Sequence, residues 1–287
     1  MSNCEYDPNY LAQLRDFARD TVRAAAVRIR AQRAEIIGSD GLAAHTQTKS
    51  SAVDPVTEVD QSTERFIAES IQSQRPGDGI FGEEGAFVAS ETGVTWIVDP
   101  IDGTVNFLYG IEEFAVSMGA AIDGEIVAGA VINVARETLY SAALGQGATV
   151  EFADGQVREL ACRTETDPSL ALVATGFGYA AGRRQAQAQL LTSMLPSVRD
   201  IRRMGAAALD LCRVAEGNID AYYEHGINPW DFAAGAIVAA EAGAVVRHPG
   251  LQKLSTEGEI TWVCGGKLAP SFQQLLASKG ALTPLRG

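Results

Sequence analysis

A chain of 287 residues, 46% hydrophobic and 21% charged, can bury a large core as one big domain or two intimate halves. Its net charge of −13 argues against a nonspecific nucleic-acid binder, and an anionic substrate would need metal ions or local cations. Four scattered cysteines (Cys4, Cys162, Cys212, Cys264), an acidic and polar N-terminus, and no apolar run of the ~18 residues a membrane span needs predict a cytoplasmic protein with reduced thiols.

Leu11, Leu14, Ala18, Val22, Ala25 and Ile29 recur at spacings of three and four, predicting an amphipathic helix from Tyr10 to Ala34. Its other face carries Arg15, Arg19, Arg23, Arg28 and Arg30, a solvated face by default and an acidic docking surface in the alternative. Gly38 to Asp54 is polar and aperiodic and reads as a loop, and Gln61 to Ser73 is helical again. From Gly79 to Val150 the texture is of strands. Ile80-Phe81 leads into Gly82-Glu83-Glu84-Gly85, and Trp96-Ile97-Val98 leads into Asp99. Ala115–Ile122, Glu125–Val134 and Thr138–Ala143 form a meander joined by short turns. Beyond Leu170, strands at Leu172–Thr175, Arg199–Arg203, Ile219–Tyr223, Ala244–Val246 and Thr261–Cys264 are interspersed with helices at Arg183–Leu195, Gly205–Glu216, Trp230–Ala242 and Pro270–Lys279. That alternation predicts α/β layering. The change of topology falls near residue 155 and divides the chain into an α+β half, 1–155, and an α/β half, 156–287, packed as one unit.

The stretch Trp96-Ile-Val-Asp-Pro-Ile-Asp-Gly-Thr-Val-Asn-Phe107 carries the most information. An apolar run delivers Asp99 and Asp102 to a strand end, and Gly103-Thr104 opens a helical turn. Two full charges ~4 Å apart at an effective dielectric of about 20 repel by roughly 4 kcal/mol, so a fold holding them together calls for a cation. The backbone N–H groups that follow make a seat for an anion. On these residues alone an ordinary turn stands beside that reading, because Asp-Pro starts turns and Asp-Gly makes hairpin corners.

Other acids sit where regular elements begin or end: Glu58 and Asp60, Glu83 and Glu84, and Asp231 after Asn228-Pro229-Trp230. Each alone reads as a helix cap or a solvated charge. Together they supply the all-oxygen set that Mg²⁺ prefers, whereas His45, His225 and His248 are too separated for a zinc cluster.

With Gly-Glu-Glu-Gly upstream and Pro-Trp-Asp-Phe-Ala-Ala-Gly downstream, the chain resembles the inositol monophosphatase family of Mg²⁺-dependent, lithium-sensitive phosphatases, bacterial members above all. The matching segments run from Lys49 to Gly243. The resemblance implies an αβαβα sandwich, a homodimer and two to three Mg²⁺ ions per site. It implies Glu83, Asp99 and the Ile101 carbonyl on a first ion, Asp99, Asp102 and Asp231 on a second, and Glu83 near a weaker third. Glu83 and Thr104 would activate the attacking water, with Asp60 hydrogen-bonded to the Thr104 hydroxyl. The N–H groups of Gly103 and Thr104 would hold phosphate. Glu224 and the backbone around Ala207 would meet substrate hydroxyls, Lys49 would lie in a loop over the site, and Glu84 would support from behind.

The implied reaction is hydrolysis of myo-inositol 1-phosphate, a small phosphorylated polyol, by direct attack of water, with no nucleic acid or membrane partner. The same chemistry on fructose 1,6-bisphosphate, histidinol phosphate or a 3′-phosphoadenosine nucleotide is the alternative, with Arg183, Arg184, Arg202 and Arg203 as candidate cations. A regulatory partner of the transcription machinery, docking through the helix arginines, is the third reading. Two departures from the family pattern, Ala206 for a common Thr and Asn228-Pro229 before Trp230, fall on the alcohol side of the implied site.

Overall fold

The computed structural model describes residues 6–38, 46–48 and 55–286. The first helix, α1 (Pro8–Gly38), buries the six residues that set its predicted stripe, and α2 (Glu58–Gln74) packs beside it. Lys49 and most of the expected Gly38–Asp54 loop lie outside the described residues. Thr46–Thr48, inside that segment, is a strand rather than loop: β1 pairs antiparallel with β2 (Pro55–Thr57).

The larger sheet has eight strands in the order β10-β9-β8-β7-β6-β5-β3-β4. They are β3 (Gly79–Gly82), β4 (Phe87–Val88), β5 (Val94–Asp102), β6 (Ala115–Ile122), β7 (Glu125–Asn133), β8 (Thr138–Ala143), β9 (Ala148–Glu151) and β10 (Val157–Glu159). A short helix, α3 (Thr104–Tyr109), follows β5. The predicted meander is β6-β7-β8, all antiparallel.

The smaller sheet has the order β12-β11-β13-β15-β14, formed by β11 (Leu172–Thr175), β12 (Asp200–Arg202), β13 (Ala221–His225), β14 (Ala244–Arg247) and β15 (Ile260–Gly265). Strands β11, β12 and β13 run parallel, as strand–helix alternation requires, while β15 is antiparallel to both β13 and β14.

Four more helices complete the fold: α4 (Ala181–Met194), α5 (Ala207–Glu216), α6 (Pro229–Glu241) and α7 (Ala269–Ser278). Their packing makes five layers. Helices α1 and α2 cover one face of the large sheet through Trp96, Ile80 and Met118. On its other face, α5 and α6 are sandwiched against the small sheet, joining Val131 and Tyr140 to Tyr222 and Val263. Helices α4 and α7 close the outside through Leu190, Met194, Phe272 and Leu276.

The sequence of α6 accounts for its central place. Every residue from Phe232 to Ala239 is buried, and a helix apolar on all sides needs protein on all sides. Gly119 and Gly129 of the sheet let it lie close, since a Cβ at Gly129 would stand 2.9 Å from the Ala234 Cα. With both sheets held against α6, the ends of β3, β5 and β13 and the starts of α5 and α6 meet at one cavity.

Candidate active site

The cavity encloses about 430 Å³. Of the residues expected at a site, Glu83, Asp99, Ile101, Asp102, Gly103, Thr104, Ala207, Glu224 and Asp231 all line it. Asp60, buried in the first turn of α2, and Glu84, in the turn after β3, are not among its lining residues.

Strand alternation alone would separate the two aspartates of β5. Residues three apart point to opposite faces of a regular strand. Here Asp99 is opposite Ser117 and Asp102 opposite Ala115, so three steps on β5 match two on β6. The extra residue is a β-bulge, which turns both carboxylates to one side. The chain then reverses at Gly103, whose φ of 93° is open to glycine, and a Cβ there would stand 2.9 Å from the Glu113 carbonyl.

Each carboxylate is held by its surroundings. Asp102 Oδ2 accepts the Ala208 N–H at 2.7 Å and so caps α5, whose own N-cap residue, Ala206, has no side chain able to do it. The Ala207 N–H also lies near Asp102 and favours its charged form. Asp231 Oδ2 reaches back to the Asn228 N–H at 2.6 Å and starts α6. Its default role as a helix starter and its place in the cavity are therefore both real. The Asn228 amide oxygen takes the Ser255 N–H at 2.9 Å. The Thr104 hydroxyl donates to the Ile101 carbonyl at 3.1 Å, so its single proton is turned to backbone and not to Asp60.

The site is electrostatically unbalanced. Burial pushes Asp99 well above the ordinary carboxylate range, and the charges of Glu83, Asp102 and Asp231 push it further. Asp231 is raised by burial, then by Glu83 and Asp102. Asp102 reaches about 7, burial outweighing the opposing Ala208 N–H bond. Glu224, on β13, is also pushed up to about 7 by burial, against the Tyr222 hydroxyl that donates to it at 2.8 Å and the nearby charge of Arg203.

This donor set fits a hard divalent cation. Asp99 Oδ1 is buried with no hydrogen-bond partner, as a position reserved for a metal would be. The facing groups are oxygens of one charge sign, and an ion among them would reverse the upward shifts. Among the described residues no three His, Cys, Asp or Glu side chains are already drawn into metal-holding geometry, so the fit rests on donor chemistry and charge. The described histidines are engaged elsewhere: His225 Nε2 lies 2.7 Å from the Ala281 carbonyl, and His248 stacks on Phe232.

Two supporting residues escape sequence reasoning. Glu64, buried on α2, accepts the Glu84 and Ala86 N–H groups, both at 2.8 Å, and thereby pins the turn that presents Glu83. Gly82 is there because any Cβ would collide with that carboxylate. Its one available signal was its place a helical turn beyond Asp60. The Asn106 amide donates to the Glu113 and Met204 carbonyls, at 2.7 and 2.8 Å, tying α3 to the segment before α5.

The arginines of α1 are largely engaged within the molecule. Arg19 and Arg23 share Glu151, Arg30 pairs with Glu137, Arg15 with its neighbour Asp16, and Arg28 stacks over Phe66.

The carboxylates gathered at strand and helix ends of this layered α/β fold fit an enzyme whose site holds a cation. The inositol monophosphatase family model matches residues 11–280, and the chain belongs to that family. It is 51% identical over 247 residues to an inositol-1-monophosphatase of Mycobacterium bovis, spanning 83% of this chain and 84% of the relative. It is 36% identical over 203 residues to the Nus factor SuhB of Pasteurella multocida, spanning 69% and 73%. The structure of Mycobacterium tuberculosis SuhB superposes with a TM-score of 0.80 at 43% identity, covering 95% of this chain and 98% of that one. The chain is thus a phosphatase of a family that acts on small phosphorylated substrates and is generally metal-dependent. Among the described residues no helix is long and apolar enough to cross a membrane.

Proposed function

We propose that the chain hydrolyses myo-inositol 1-phosphate to inositol and phosphate by direct attack of water, using two to three Mg²⁺ ions, as a cytoplasmic homodimer. The observation that carries this reading is the gathering of Glu83 after β3, Asp99 and Asp102 of β5, and Asp231 of α6 around one cavity. These carboxylates and the Ile101 carbonyl would hold the metal. Bound there, Mg²⁺ would shield the ester's charge, lower the pKa of a water and stabilise the leaving alkoxide.

The chain's own groups do the positioning. Gly103 and Thr104 offer their N–H groups to phosphate oxygens at a helix start, where backbone donors lack intrahelical partners. Thr104 and Glu83 orient the attacking water, and Asp60 joins them once the Thr104 hydroxyl rotates away from Ile101. Glu224, at the other wall, accepts hydrogen bonds from polyol hydroxyls. Glu84 acts behind Glu83. The halves 1–155 and 156–287 contribute different ligands, Asp231 coming from the second.

Phosphate release from myo-inositol 1-phosphate at millimolar Mg²⁺ tests the assignment, and no release sinks it. A regulatory role in transcription is the second reading, favoured by the name of the Pasteurella relative. The engagement of the α1 arginines with Glu151, Glu137 and Phe66 speaks against that helix as the docking face. Capture of RNA polymerase by wild type, lost on replacing those arginines with Gln, would support it.

A further inference from the structure

Of the four arginines named as candidate cations, only Arg183 and Arg203 line the cavity. Arg184 and Arg202 are exposed, Arg202 paired with Asp200, and Arg203 is exposed with Glu224 for a neighbour. Arg183 differs. It is 7% exposed, lines the cavity, and pairs with no acidic side chain among the described residues. Its Nε donates to the Leu285 carbonyl at 2.9 Å, which fixes the side chain but leaves its charge unmet. It also sits in the first turn of the fourteen-residue α4, which has no acid there, so the positive helix end adds to the mismatch.

The fold makes room for this arginine. Its stem passes over Gly178, where a Cβ would be 3.1 Å from Cδ, and its guanidinium lies against Gly226, where a Cβ would collide with Nη1. Gly226 is two residues beyond Glu224, the candidate acceptor for polyol hydroxyls. Gln187 braces the same corner, accepting from the Gly178 N–H at 2.9 Å and donating to the His225 carbonyl at 3.3 Å. A buried guanidinium without an acid is costly, and its fork of donors matches the oxygens of a phosphate.

We propose that Arg183 forms a second anion subsite at the polyol end of the cavity, binding a phosphate carried by the substrate besides the one that is hydrolysed. The inference rests on the reading of this cavity as a phosphate-ester site and extends its substrates from polyol monophosphates to polyol bisphosphates. A bound phosphate there meets Arg183 from the cavity side while Leu285 holds the guanidinium from behind.

The test compares myo-inositol 1-phosphate with myo-inositol 1,4-bisphosphate, which share a ring and differ by the distal phosphate. Wild type should show the higher kcat/KM on the bisphosphate. R183Q should lower kcat/KM on the bisphosphate at least about tenfold more than on the monophosphate, chiefly through KM, as loss of a charge-assisted hydrogen bond predicts. R183K should keep part of the preference. In EDTA, the bisphosphate should raise the melting temperature of wild type more than the monophosphate does, and R183Q should lose that difference.

Equal losses on both esters would reduce Arg183 to a latch for Leu285 and overturn the proposal. So would equal melting shifts by the two esters in wild type, a result that stands even if R183Q fails to fold. If neither ester is hydrolysed, the phosphatase reading on these substrates fails, while the shifts in EDTA still decide whether Arg183 binds a distal phosphate.

Discussion

Asp102 and Ala208 are 106 residues apart, yet the carboxylate of one takes the N–H of the other at 2.7 Å and caps the helix in whose first turn Ala208 sits. One side chain thus joins the large sheet to α5 while facing the cavity. The two duties can be separated. D102N keeps an oxygen for the cap, whereas D102A removes it. Both should lose phosphatase activity, but in EDTA D102A should be less stable than D102N by about 1 kcal/mol, the usual worth of an N-cap. Equal urea midpoints would mean that the cap contributes nothing.

Asp99 is crowded by like charge, and its two states should show it. With the metal chelated, D99N relieves repulsion and should unfold at a higher urea concentration than wild type. With Mg²⁺, wild type should gain melting temperature through linkage and D99N should gain less. Turnover by D99N should fall on the order of 10²-fold or more, since disturbing even an outer metal contact costs up to about that factor. A near-normal rate would remove Asp99 from the ligand set.

Glu224 makes stability fall as pH rises. Unfolded, its carboxyl loses its proton near 4.5, while in the fold it holds it to about 7. Between those values the unfolded state binds fewer protons, so raising the pH favours unfolding, and above about 7 the loss is complete. The full effect is at most about 3 kcal/mol. Denaturant midpoints in EDTA from pH 4.5 to 7.5 should therefore decline less steeply in E224Q than in wild type. Parallel declines would show that Glu224 ionises normally.

Glu64 touches no cavity surface but holds the turn carrying Glu83. E64A leaves two buried-side N–H donors unmet and should destabilise by about 2–3 kcal/mol. E64Q should fold better yet raise the Mg²⁺ concentration for half-maximal activity, because Glu83 loses its fixed position. An unchanged Mg²⁺ dependence in a folded E64Q would make Glu64 a purely structural residue.

Much of the fold was legible in the sequence because its signals are local. The apolar stripe of α1, the meander from Ala115 to Ala143, and the alternation of strands and helices beyond Leu172 each follow from periods of a few residues. The acids of the cavity were legible as well, because they stand next to turn residues that mark element ends.

What tertiary structure alone decided is where those residues point and what opposes them. Alternation would have parted Asp99 from Asp102, and only the pairing of β5 with β6 shows the bulge that unites them. The capping of α5 by Asp102, the grip of Glu64 on the Glu83 turn, and the hold of the Leu285 carbonyl on Arg183 all join residues distant along the chain. Periodicity records which side of an element meets the core. It carries nothing about which groups of other elements will stand opposite, because that depends on how the packed layers fit.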